Sequence, residues 1–244
     1  MKALRSWLFL CLLAMLALQL FFVLRVAAMA FITPESTSFE RSQIVQLLRQ
    51  HKALPWRQQF VPLSAVSRHL QRAVIASEDD AFVRHGGIRW DAVEKAWDRN
   101  AQAQARVEKQ QARRPDRPSA PPRIVGGSTI TQQLAKNLLL SGERNFLRKG
   151  QEALITLTLE ALLPKSRILE LYLNHVEWGE GVFGAEAAAQ HYFRKSASQL
   201  GAWEAARLAV MLPRPRYFEK LPHSSYLTER ADVIVGRMNS VVLP

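Results

Sequence analysis

Apolar residues recur three and four positions apart through most of the chain, and the strict alternation of a half-buried strand is scarce. The pattern predicts an all-α domain. An apolar run from Trp7 to Leu24 comes first, and apolar character resumes after Arg25 through Ile32. "TPESTS" reads as a loop, and "FERSQIVQLLRQ" as a short amphipathic helix. Ser64 is the expected N-cap of a helix through "AVSRHLQRAVIASED", with Val66, Leu70, Ala73 and Ser77 along one face. A further helix is expected from Asp91 into "AQAQARVEKQQ", until the Pro- and Arg-rich stretch 112–123 breaks it into a solvated loop. Helical spacing returns over 126–140 and over 145–163, where Pro164 ends it. Residues 166–193 read as helix, Gly-punctuated loop and helix. "AWEAARLAVMLPRP" is a helix stopped by Pro213, and "LTERADVIVGRMN" is a last amphipathic segment. No internal repeat is present.

The N-terminal run is about 18 residues long with Gln19 as its only strongly polar member, near the lower limit for a membrane span. Lys2 and Arg5 precede it, so the positive-inside rule puts the N-terminus in the cytoplasm and the bulk of the chain outside. Arg25 sits where a long side chain can snorkel to an interface. A cleaved signal peptide is the rival, and Ala28-Met29-Ala30 offers a cleavage site, but the run exceeds a typical signal core. The expected layout is a cytoplasmic tail at 1–6, a transmembrane anchor at 7–32, an approach segment at 33–60 and one catalytic domain at 61–244. About 200 residues beyond the anchor suffice for one core. The single cysteine, Cys11, lies in the apolar run, which excludes a disulfide framework or a cysteine-based metal site. The formal net charge of +12 asks for an anionic partner. Nucleic acid, anionic headgroups and phosphorylated substrates all qualify.

Four stretches carry candidate chemistry. In "ASEDDAFVRHGG" three acids, Glu78, Asp79 and Asp80, fall where a helix stops. Carboxylates are disfavoured at a helix C-terminus. They read either as a solvated turn or, for Glu78 in a cleft, as a general base. Gly126-Gly127-Ser128-Thr129 then opens a helix with N–H groups suited to an anion. Ser128, Gln132 and Lys136 share a face beside Thr129 and Gln133, opposite Ile130, Leu134 and Leu138. A Thr129/Gln132 capping box explains two of these residues but not Gln133 or Lys136. Third, Arg144, Arg148, Lys149 and Glu152 cluster. They form either surface ion pairs or a cationic clamp for a diphosphate, with Glu152 orienting the cations or holding a divalent ion. Fourth, "NHVEWGEGVFG" mixes Asn174, aromatics and glycines. It suits either a carbohydrate cleft or a tight helix–helix connection.

Together these stretches resemble the peptidoglycan glycosyltransferases, the family shared by bifunctional penicillin-binding proteins and monofunctional transglycosylases. "EDDAFVRHGG", "GGSTITQQLAKN", "RKGQE", "ELYLNHVEWGEGVFGAEAAAQHYF" and "AARLAVMLPRP" match its five motifs in order across residues 61–216. Arg89 departs from the pattern, standing where the family often has an acid. No transpeptidase domain is expected after Pro244, so the resemblance is to the monofunctional biosynthetic branch of Gram-negative bacteria.

The resemblance implies a lysozyme-like, two-lobed α-helical domain that polymerises lipid II into β-1,4-linked glycan with release of undecaprenyl diphosphate. It implies Glu78 as the base acting on the acceptor GlcNAc 4-hydroxyl, with inversion at the donor, and Glu152 as the second catalytic carboxylate. Ser128, Thr129, Gln132, Gln133, Lys136, Arg144, Arg148, Lys149 and Asn174 become substrate-binding candidates. Asp79, Phe82 and His85 become shapers of the Glu78 loop. Mg²⁺ is the candidate ion, with Glu152 its candidate ligand, and no organic cofactor is expected. The expected partners are lipid II, the nascent glycan and membrane lipids, with other cell-wall synthesis or division proteins as candidates and nucleic acid excluded. The expected location is the bacterial inner membrane, with the catalytic domain in the periplasm. Two rivals remain. A glycan cleaver of the same fold needs no diphosphate site, and a tethered nucleic-acid binder would need a motif absent here.

Overall fold

A computed structural model describes residues 2–50, 54–113, 127–140 and 146–244. Helix α1 (Lys2–Ala28) is long and apolar enough to cross a membrane. At 1.5 Å per residue it is about 40 Å long. Most of it is exposed and apolar all round, a pattern compatible with a membrane span. Only its C-terminal part meets the body. Phe22 and Val26 are buried, and Gln19 exchanges two amide hydrogen bonds with Gln151, at 2.7 and 3.0 Å.

The body is helical, as the spacing predicts. Helices α2 (Ser38–Gln50), α3 (Arg68–Glu78), α4 (Trp90–Arg113), α5 (Ile130–Leu139), α6 (Phe146–Leu162) and α7 (Lys165–His175) come first. They are followed by α8 (Ala185–Phe193), α9 (Ala202–Met211), the short α10 (Pro215–Phe218) and α11 (Ser225–Met238). Helices α3, α9 and α11 pack on one another, while α5 is held among α2, α6 and α7. The core runs through both groups, from Leu70, Val74 and Leu208 to Leu134, Leu159 and Leu169.

Several boundaries differ from expectation. Ser64 lies in a 3-10 turn, and the N-cap of α3 is Ser67, whose hydroxyl accepts from the His69 amide. In the stretch 33–60, expected as an approach segment, α2 packs against α5. Glu40 and Leu47 are fully buried, and Arg57–Gln58 forms strand β1. The Gly-punctuated loop after α7 is a hairpin of β2 (Glu177–Gly179) and β3 (Val182–Phe183). β3 is central, antiparallel to β2 and parallel to β1. Trp56 stacks on Phe183 at 4.5 Å, which fastens β1 to the hairpin. Gly181 closes the turn at φ +72°, where a Cβ would strike the Pro55 carbonyl. Most of the Pro/Arg-rich stretch 112–123, together with Gly126 and Arg144, lies outside the described residues.

Candidate active site

Three adjacent acids end α3, and the fold gives each a different environment. Asp80 is exposed and pairs with Arg89 at 2.5 Å, and Arg89 also reaches Asp91 at 3.3 Å. Arg89, the departure from the motif, thus closes an exposed ion cluster. Burial is the largest single influence on the Arg89 pKa and lowers it, but the bonds and charges of Asp91 and Asp80 together outweigh it and raise the pKa, and hydrogen bonding to Arg89 lowers that of Asp91.

Asp79 is buried. Its carboxylate meets His85 Nε2 at 2.9 and 3.0 Å and accepts from the Ile130 amide at 3.2 Å. Ile130 is the first residue of α5, so Asp79 satisfies an orphan donor at the positive end of that helix. His85 Nδ1 accepts from the Gly87 amide at 3.0 Å, which assigns the ring proton to Nε2, facing Asp79. Phe82 is fully buried, with the Lys165 ammonium 4.5 Å from its ring centre. Asp79, Phe82 and His85 therefore hold the loop against α5 and α7.

Glu78 points elsewhere. Its Oε2 accepts from Gln133 Nε2 at 2.9 Å, and Gln133 Oε1 accepts from the Tyr172 hydroxyl at 3.0 Å. Tyr172 is buried, so its hydroxyl needs a partner and fixes the amide orientation. The amide then presents N–H, not C=O, to the carboxylate. Part of Glu78 is open to solvent, but protein atoms crowd its head. Desolvation accordingly raises its pKa, outweighing the lowering effect of Gln133 and Ser77. Burial first, and the Glu78 and Asp79 charges next, push Tyr172 well above its ordinary value. The result is a partly exposed carboxylate with raised proton affinity where α3 meets α5 and α7.

Helix α5 positions Gln133. Thr129 is its N-cap in a full capping box: Gln132 N donates to Thr129 Oγ1, and Thr129 N donates to Gln132 Oε1. The Thr129 hydroxyl also donates to the Gly87 carbonyl at 2.5 Å. Both residues are buried and engaged inside the protein, while Ser128 and Lys136 are exposed. Lys136 lies one turn beyond Gln133, on a neighbouring part of the same face. Thr131 near the start of α5 bonds Glu160 near the end of α6 at 2.5 Å, so the two helices run antiparallel. This brings the first turns of α6 to the same end as Lys136. There Glu152, 3% exposed, accepts from Arg148 at 2.9 Å and from Lys149. Both Glu152 oxygens are engaged by cations. Among the described residues, no group of three His, Cys, Asp or Glu side chains is placed to hold a metal. Glu152 does not fit a resident divalent ion, and its geometry instead orients Arg148 and Lys149.

Residues 45–239, most of the chain, match the family model for transglycosylases. The chain belongs to the transglycosylase family. It is 50% identical over 231 residues to a biosynthetic peptidoglycan transglycosylase of Burkholderia thailandensis, covering 95% of this chain and 84% of that protein. It is 48% identical over 248 residues to proteins of the same name from Janthinobacterium sp. (strain Marseille) and Herminiimonas arsenicoxydans, with full coverage of both chains in each case.

The fourth stretch of this transglycosylase does not form the sugar platform its aromatics suggest. Trp178 and Phe183 are fully buried, and Trp178 Nε1 donates to the Leu208 carbonyl at 3.1 Å. Asn174 is fully buried on α7. Its amide accepts from Val61 N at 2.9 Å and donates to the Val61 and Glu170 carbonyls at 2.9 and 2.8 Å. It positions the chain ahead of α3 and presents no polar atom to a ligand. Sequence reasoning missed Tyr172 and Glu160. Tyr172 carried a faint signal, a hydroxyl within the leucine-rich "ELYL". Glu160 carried none, because its partners Thr131 and Lys165 come together only in the fold.

Proposed function

We propose that this transglycosylase polymerises lipid II into peptidoglycan glycan strands, with Glu78 as general base. Glu78 removes the proton from the acceptor GlcNAc 4-hydroxyl. The hydroxyl oxygen attacks the anomeric carbon of the donor from the face opposite its diphosphate. The new β-1,4 C–O bond forms as the bond to the diphosphate breaks, and undecaprenyl diphosphate leaves with the bonding electrons. The proton passes from Glu78 to solvent.

The observation that carries this reading is the Tyr172–Gln133–Glu78 chain, which holds a carboxylate of raised proton affinity in a fixed direction. An alcohol is a poor nucleophile, and a positioned base is worth about 10²–10⁴ in rate. A departing diphosphate gathers negative charge, which preorganised cations stabilise. Lys136, Arg148 and Lys149 gather at one end of the α5–α6 pair, and Arg144 stands two residues before α6 in sequence. We assign all four to the diphosphate, with Ser128 at the exposed start of α5. Thr129 and Gln132 hold α5 in place, and Glu152 holds the cations. A Mg²⁺ ion in this scheme accompanies the diphosphate rather than Glu152. The relatives' name, biosynthetic peptidoglycan transglycosylase, supports the substrate class.

In this reading α1 is a single-pass anchor in the bacterial inner membrane, with the N-terminus cytoplasmic and the catalytic domain periplasmic. Lys2 and Arg5 on the N-terminal side support that orientation. Tethering at the bilayer raises the effective concentration of a lipid-borne substrate.

The test is polymer formation from lipid II by the wild type and by Glu78→Gln. Loss of at least about 100-fold with unchanged helical content is expected. Comparable rates would remove Glu78 as the base. Fragment release from finished cell wall without polymer formation would replace synthesis by cleavage.

A further inference from the structure

A cavity of about 390 Å³ opens where α1 ends, and the reaction just described does not use it. Arg25 on the last turn of α1 lines it together with Thr33, Glu35, Ser36 and Arg41. Met29 and Ile32 supply apolar lining. The cavity shares no lining residue with the Glu78–Gln133–Tyr172 chain or with the cations of α5 and α6.

Its electrostatics favour an anion. Among the described residues Arg41 is held by neutral oxygens, with bonds of 3.1–3.2 Å to the Ser36 carbonyl and to the Ser36 and Ser38 hydroxyls. Neither Arg41 nor Arg25 is ion-paired to a carboxylate among the described residues. The carbonyls ending α1, which would repel an anion, are capped from within. Val26, Ala27 and Ala28 accept backbone amides, and Met29 accepts from Arg167 Nε at 2.9 Å. Arg167 also bonds Thr33 Oγ1 at 3.0 Å, so the cavity wall is tied to α7. Two arginines against one Glu35 leave a formal lining charge of +1, the complement of one phosphodiester and short of what a diphosphate needs.

Its position selects a lipid. The cavity lies at the end of the helix that is long enough to span a bilayer. Just beyond Arg25, Phe31 and Ile32 are 92% and 67% exposed, apolar side chains that lie favourably in the outer edge of a bilayer and poorly in water. Arginines beside them sit at headgroup level.

We propose that this cavity binds the phosphodiester headgroup of an anionic glycerophospholipid, with its acyl chains along the apolar surface of α1. The inference rests on the reading of α1 as an anchor but not on the assigned activity. The test uses the full chain in neutral detergent. Dihexanoyl phosphatidylglycerol, dihexanoyl phosphatidylcholine and inorganic phosphate are titrated separately, and binding is read by thermal shift and native mass spectrometry. Phosphatidylglycerol should bind best. Arg25→Gln and Arg41→Gln should each weaken it about fivefold, and Arg230→Gln on α11 should leave it unchanged. Glu35→Gln should tighten binding, a direction that damaged folding does not produce. Equal binding of inorganic phosphate would reduce the site to a free-anion site. Equal binding of both lipids, or no tightening in Glu35→Gln, would overturn it. Lipid II polymerisation is followed in the same detergent. Loss of that activity with lipid binding intact would strike the proposed reaction and leave this site standing.

Discussion

Gln133 donates from Nε2 to Oε2 of Glu78 at 2.9 Å, across 55 positions of sequence, and Tyr172 dictates which end of the amide faces the carboxylate. The bond favours the ionised form and opposes the larger desolvation that raises the pKa.

Replacing Gln133 by Leu removes the opposing bond, so the Glu78 pKa should rise further. A general base works only when ionised, and the rate falls as pH drops through its pKa. The acidic limb of the rate profile should therefore move to higher pH in Gln133→Leu. The pH dependence of lipid II polymerisation measures it. An unmoved limb with a uniformly lower rate would mean that Gln133 acts on substrate and not through Glu78.

The same carboxylate should cost stability. A carboxyl group whose folded pKa is raised binds more protons folded than unfolded between the two values. At low pH the group is protonated in both states and costs nothing. As pH rises through the unfolded and then the folded pKa, the wild type loses stability relative to a neutral side chain. Glu78→Gln should therefore unfold at a higher temperature than wild type near pH 7, with the gap closing on acidification toward pH 4. Thermal melts across that range decide it. A gap that widened on acidification would contradict the raised pKa.

What could be read in advance follows the reach of each interaction. The Thr129/Gln132 capping box is local, and it stands where the spacing put it. Helical periodicity likewise located most helices, because an amphipathic face is written in consecutive residues. The choice between Ser64 and Ser67 as N-cap was not legible, since both precede the same apolar pattern and a 3-10 turn intervenes. Trp178 and Phe183 looked like a ligand platform because glycines punctuate a surface loop and a buried hairpin alike. The separate fates of Glu78, Asp79 and Asp80 depend on Gln133, Ile130 and Arg89. Of these three only Arg89 is near in sequence.

Glu152 tests the cationic end of the site. Its two oxygens bind Arg148, 16% exposed, and Lys149, 50% exposed. Glu152→Gln removes a nearly buried carboxylate that both cations bond. Breaking a fully buried pair costs about 3–5 kcal/mol. Lys149 is half in water and contributes much less, so about 2–3 kcal/mol is expected here. Denaturant melts measure it. Turnover should fall as the two cations lose their orientation, while its dependence on Mg²⁺ concentration keeps the wild-type shape. A changed Mg²⁺ profile would restore Glu152 as a metal ligand.

Asn174 separates positioning from binding. Its amide bridges both polar backbone groups of Val61 and the Glu170 carbonyl, all within the protein. Asn174→Ala leaves the Val61 N–H and carbonyl without these partners in a part-buried setting, and each unsatisfied buried group costs about 1–3 kcal/mol. A loss of about 2–3 kcal/mol of stability is expected, at the lower part of the summed range because water can reach part of the gap. A residue that touches substrate would raise KM. Asn174→Ala, assayed well below its melting temperature, should keep the wild-type KM for lipid II and lose only the fraction that unfolds. An elevated KM in fully folded protein would return Asn174 to the substrate.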